Sequence, residues 1–152
     1  MKEKALLAYC GIYCGDCLGS TGVIADAAKD FMMVLENYKF DGTAKCVFTK
    51  ELKDYDRFSK MLKFMSGLKC SQPCRQREDS AVSCPIRECC KEREFYACYE
   101  CSDFEICEKL HSFMKGLHAE ACVKNLKEIK EIGLDAWIRK GKRHHYWDET
   151  ED

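Results

Sequence analysis

Ten of the thirteen cysteines in this chain of 152 residues fall into three tight groups, and thiols so spaced constrain the fold more than any other feature of the sequence. The first group is Cys10, Cys14 and Cys17 within C-G-I-Y-C-G-D-C; the second is Cys70, Cys74, Cys84 and Cys89; the third is Cys98, Cys101 and Cys107. Each offers several thiolates within a short stretch, near enough to converge on one ion with bonds of about 2.3 Å if that ion is zinc. A chain of this length buries a core of its own, so the cysteines organise a site or a loop-rich lobe and do not replace a missing interior.

The odd cysteine count favours metal or redox chemistry over a disulfide framework, provided the chain is not exported. Residues 5–15 follow two lysines and have some apolar character, but Glu3, the interrupting cysteines and glycines, and the lack of a small-x-small site oppose a signal peptide. Bulky Tyr9 ahead of Cys10 opposes a lipoprotein acceptor. No run of about 18 apolar residues occurs, so no membrane span is expected and the reading is of a cytoplasmic protein. A formal net charge of -1 and a pI near 6.4 exert no general pull toward nucleic acid or anionic lipid.

Between the thiol groups the apolar residues recur at helical spacing. Val23, Ala27, Phe31, Val34, Leu35 and Tyr38 mark a helix over about 23–38, with Asp41-Gly42 as its stop and turn. Leu52, Tyr55, Phe58, Leu62 and Met65 predict a second over 50–66. The polar stretch from Cys70 to Ser83 reads as an exposed loop, and Pro85 opens a short helix through Glu94. Ser102-Asp103-Phe104-Glu105 has the form of a capping box, predicting a helix with Ile106, Leu110, Phe113 and Leu117 inward. A further helix spans about 119–132 with Cys122, Leu126 and Ile129 inward and Gly133 as its stop. A last one over 134–139 is anchored by Trp137 and Ile138. No period-2 strand or internal repeat is visible.

Cys98-Tyr99-Glu100-Cys101 is a C-x-x-C pair, the spacing that lets two thiolates grip a tetrahedral ion through a tight turn, and Cys107 follows within reach as a third ligand. Cys89 and Cys90 are neighbours, about 100° apart on a helix, so only one of them faces a given ion. The opening C-x-x-x-C-x-x-C equals the iron-sulfur motif of radical S-adenosylmethionine enzymes. Those need an α/β barrel, however, and Asp16 stands where they usually carry an aromatic residue. A thioredoxin-like redox pair lacks its βαβ context here. His111 and His118, seven residues apart, read as helix-surface histidines. Arg139, Lys140, Lys142, Arg143, His144, His145, Tyr146 and Trp147 form a basic and aromatic patch, with Lys124, Lys127 and Lys130 as a stripe on the preceding helix.

Four ordered motifs, Y-C-G-I-Y-C-G-D-C, C-P-I-R-E-C, C-Y-E-C with the later Cys107-Glu108-Lys109-Leu110, and I-G-L-D-A-W-I, resemble a prokaryotic cysteine-rich family catalogued only as a domain of unknown function. The resemblance runs from about Tyr9 to Ile138. It implies a small soluble bacterial or archaeal protein with a metal site and no assigned reaction. Carried over residue by residue, it points to Cys10, Cys14, Cys17, Cys74, Cys84, Cys89, Cys98, Cys101 and Cys107. Cys70 departs from the pattern by one residue of spacing and by Pro73 in a glycine position, while Cys46, Cys90 and Cys122 lie outside it.

The sequence therefore predicts a mainly α protein, one helical domain over 1–152. Its irregular Cys-rich metal-binding lobe comprises about 67–107 plus 9–18, and a flexible tail begins near 141. The ten grouped thiols are the expected metal ligands, with zinc the expected ion in a structural role or one that presents a surface to a protein partner; no catalytic set is visible. An iron-sulfur redox protein is the alternative, and a nucleic-acid module using the C-terminal basic patch is the second. Ten sulfurs would fill two four-thiolate sites with two left over, and spacing alone does not partition them.

Overall fold

A computed structural model describes residues 3–77 and 83–148. It is mainly helical, with an irregular Cys-rich lobe. The chain divides into two compact units, one made of residues 1–15 and 72–152, the other of residues 16–71.

The second unit carries α1 (Leu18–Thr21), α2 (Val23–Asn37), α3 (Phe40–Cys46) and α4 (Tyr55–Met65). α2 packs against α4, and Ala25, Ala28, Ala44, Tyr55 and Leu62 are its buried residues. The face of α2 predicted to point inward does so only at Leu35, which is half-buried. Val23, Ala27, Phe31, Val34 and Tyr38 are exposed, and Ala25, Ala28 and Met32 turn inward. α2 has apolar residues on two faces, and periodicity alone does not choose between them. Asp41-Gly42 does not stop the chain either. The break between α2 and α3 comes from Lys39 in the left-handed region at φ 49°, and Asp41 and Gly42 lie inside α3. Tyr55 stacks at a tilt between Phe40 and Phe58, with ring centroids 5.8 and 6.1 Å away. Residues 51–54 form turns, so α4 starts five residues later than the expected position 50.

The first unit is built on α7 (Ala119–Ile132), whose inward stripe of Cys122, Leu126 and Ile129 matches its helical spacing. Gly133, at φ 81°, turns the chain into α8 (Leu134–Lys140), which seats the fully buried Trp137 edge-on to Tyr13 at 5.9 Å. α5 (Pro85–Glu92) begins on its proline as predicted, because proline fixes φ and the missing N–H is one a first helical turn leaves unpaired.

The continuous helix expected from the Ser102 capping box does not form. The segment breaks into a 3-10 turn at Phe104–Ile106, the single turn α6 (Glu108–His111) and a second 3-10 turn at Phe113–Gly116. The two capping groups are engaged elsewhere: Ser102 Oγ donates to Asp103 Oδ1 at 2.8 Å, and Glu105 pairs with Lys127 at 2.7 Å. Of the residues predicted inward, Leu110 is buried and Phe113 half-buried against the core, while Ile106 and Leu117 are exposed, Ile106 at 80%; Phe104 joins the core. In the loop predicted over 70–83, residues 78–82 lie outside the described residues, and Cys74–Gln76 forms a 3-10 turn. Within residues 141–148, expected to begin a loose tail, Arg143, His144 and His145 are half-buried and the others exposed. Asn125 holds His144, and Arg143 lies over the Tyr13 and Trp137 rings at 3.9 and 4.9 Å. The acidic end of that tail, 149–152, lies outside the described residues.

Candidate metal centre

The first thiols are placed by a tight reversal of the N-terminal chain. Ala8 N donates to Ile12 O at 2.8 Å and Cys14 N to Leu6 O at 2.7 Å, with Gly11 at φ 95° between them. This reversal drives Cys10 and Cys14 into the core, 6% and 8% exposed. Glycine is required at position 11, since a Cβ there would lie 2.8 Å from Leu126 Cγ and 2.9 Å from the Cys122 carbonyl oxygen.

Two contacts tie this reversal to the middle of the chain. Cys98 N donates to Tyr9 O at 2.9 Å. Arg75, next to Cys74, donates from Nε to Leu7 O at 2.6 Å and from Nη2 to Tyr96 O, while its guanidinium lies between the rings of Tyr9 and Tyr96 at 4.3 and 3.9 Å. Local turns then aim the remaining sulfurs. Cys84 immediately precedes α5, and Cys98–Glu100 is a 3-10 turn closed by Cys101 N to Cys98 O at 3.0 Å. Cys107 heads α6, its carbonyl accepting from Leu110 N and His111 N at 3.0 Å.

One core cluster results, containing Cys10, Cys14, Cys90 and Cys122, with Cys74, Cys84, Cys98, Cys101 and Cys107 packed against it. Of the ten predicted ligands, Cys89 is not among the residues packed there. Cys17 and Cys70 belong to the second unit, where both sulfurs share the space over Gly19: a Cβ on that glycine would lie 3.2 Å from Cys70 Sγ and 3.9 Å from Cys17 Sγ. Cys46 is exposed. Cys90 and Cys122 join the cluster although their surroundings in sequence carry no ligand motif. Their helical phase was the available signal, since Cys90 shares a face with Ile86 and Cys122 with Leu126, each four residues away.

The thiols influence one another electrically. Cys10 is pushed well above the ordinary thiol range, first by its hydrogen bond with Cys122 and then by burial. Burial raises Cys74. The sulfurs of Cys90 and Cys98 are 3.6 Å apart; Cys90 is lowered by accepting from Cys98, and Cys98 is raised by donating to it and by burial. Neighbouring Tyr99 is pushed up to about 12, chiefly by burial. Among the described residues, no three His, Cys, Asp or Glu side chains stand close enough together to hold an ion as they are.

Three lysines of the basic patch and its stripe are paired with carboxylates. Lys140 pairs with Glu128, Lys127 with Glu105 and Lys124 with Glu120, and Lys130 lies over the Phe104 ring at 5.5 Å. The aromatic members are occupied as well, His145 stacking on Trp147 at 4.4 Å and His118 meeting Tyr146 edge-on at 4.7 Å. Among the described residues no helix is long and apolar enough to cross a membrane.

No curated protein and no solved structure matches the chain. A family match covers residues 6–112, taking in all ten grouped cysteines and ending before the I-G-L-D-A-W-I segment. On that match the chain belongs to the family described as Protein of unknown function (DUF3795).

Proposed function

We propose that this protein binds zinc through thiolates of the first unit's buried cluster, and that the ion ties the N-terminal reversal to the middle of the chain. Its role is structural, or it presents the tied lobe to a protein partner. The observation that supports the reading is the cluster itself. Cys10, Cys74, Cys84, Cys98 and Cys107 come from all three cysteine groups of the sequence and are gathered at one core. An all-sulfur donor set suits zinc or an iron-sulfur cluster and is poorly matched to magnesium or calcium.

Zinc would supply a redox-inert cross-link here, held by four of the thiols that this cluster gathers. Because a thiol must lose its proton to bind the ion and these sulfurs are not yet converged, loading releases protons and draws the sulfurs together, which makes binding part of the folding free energy. The test is elemental analysis with an absorption spectrum on protein purified without oxygen or added metal. Near-stoichiometric zinc in a colourless sample is the expected result. Iron with sulfide in a brown sample would replace this reading with a redox centre built from the same thiols.

A further inference from the structure

Cys90 stands outside every ligand motif in the sequence, and Cys89 closes C-P-I-R-E-C at the position where a ligand is expected. In the fold these neighbours exchange roles. α5 turns Ile86, Arg87 and Cys90 inward, and consecutive helical residues differ by about 100°, so Cys89 is directed elsewhere. Cys90 is 2% exposed and inside the thiol cluster, whereas Cys89 is half-buried and not among the residues packed on it.

The spacing of the Cys90 and Cys98 sulfurs is informative. At 3.6 Å they are not bonded, since a disulfide measures about 2.05 Å. Two thiolates on one tetrahedral zinc with bonds of about 2.3 Å stand about 3.8 Å apart, close to the observed separation. The pair is fixed from both sides, by the regular helix α5 under Cys90 and by the Cys98 N to Tyr9 O hydrogen bond under Cys98.

We infer that Cys90 is a metal ligand, sharing one ion with Cys98, and that Cys89 is not a ligand. The preformed Cys90–Cys98 edge is where the ion first binds, and the remaining ligands close in from the same cluster. This assignment rests on the zinc reading above and adds the choice between two adjacent cysteines.

Full-length wild type, Cys89→Ser, Cys90→Ser and Cys90→His are purified alike, their zinc content is measured, and zinc release to a chromogenic chelator is timed. Loss of an outer-shell partner alone costs about 10–100-fold in metal affinity, so Cys90→Ser should lose its zinc or release it at least about tenfold faster, while Cys89→Ser behaves as wild type. Cys90→His, which restores a zinc-competent donor, should recover binding, separating ligation from packing. Cobalt-loaded Cys90→His should in addition lose part of the thiolate-to-cobalt absorption seen in wild type, a readout independent of stability. Zinc retained by Cys90→Ser but lost by Cys89→Ser would overturn the assignment and leave the zinc reading standing. Wild type free of zinc would remove both.

Discussion

Asn125 and His144 are joined by two reciprocal hydrogen bonds. The Asn125 Nδ2 donates to the His144 carbonyl, and the His144 amide donates to Asn125 Oδ1, each at 2.9 Å. Asn125 is only 3% exposed, so its amide substitutes for a backbone partner and fastens residues 141–148 along α7. Truncation to alanine strands two backbone groups in a partly buried place. Asn125→Ala should cost about 1–3 kcal/mol, measured by denaturant unfolding, and should expose 141–148 to limited proteolysis. Unchanged stability would mean that this segment contributes nothing to the first unit.

Arg75 acts as a strut between the N-terminal reversal and the segment before Cys98, bonded to the carbonyls of Leu7 and Tyr96 and held between two tyrosine rings. Arg75→Lys keeps the charge and loses the planar fork, so it should still destabilise the protein, by about 2 kcal/mol in chemical unfolding. Rescue by lysine to wild-type stability would show that charge alone matters.

Glycines 11 and 42 should respond to alanine with opposite signs. At Gly11 the positive φ and the contact with the Cys122 carbonyl leave no room for a methyl group, and the substitution should cost about 2 kcal/mol or more. Gly42 lies inside α3 with nothing within 4 Å of a Cβ, and Gly42→Ala should stabilise by about 0.5–1 kcal/mol. Thermal unfolding of both variants checks the pair.

Burial, and secondarily the charge of His145, lowers His118 below the ordinary histidine value of 6.5. The unfolded chain then takes up this proton first as pH falls. Stability associated with His118 is complete above about pH 6.5 and declines below it, until the folded form also protonates. His118→Phe keeps an aromatic ring against Tyr146 and should flatten the decline between pH 6.5 and 5 relative to wild type. Parallel pH profiles for the two proteins would contradict this.

Much of the helical content was legible because it is local. Pro85 opens α5, Gly133 separates α7 from α8, and the spacing of Cys122, Leu126 and Ile129 marks the buried face of α7 whatever it packs against. The segment from 102 to 117 was not legible. A capping box needs its serine and glutamate free, and Lys127, distant in sequence, takes Glu105. The inward face of α2 was hidden for a similar reason, since the helix is apolar on two sides and only its packing against α1, α3 and α4 chooses between them.

That the chain is mainly helical and rich in grouped thiols is written in its residue order, because helix periodicity and cysteine spacing are properties of neighbouring residues. Which thiols meet depends on the packed fold. Cys10 reaches Cys122 and Cys98 reaches Cys90 through the Gly11 reversal, the Arg75 strut and the phase of α5. Each of these joins residues through space or sets a rotation about a helix axis, and the order of residues along the chain specifies such contacts only after the core has packed.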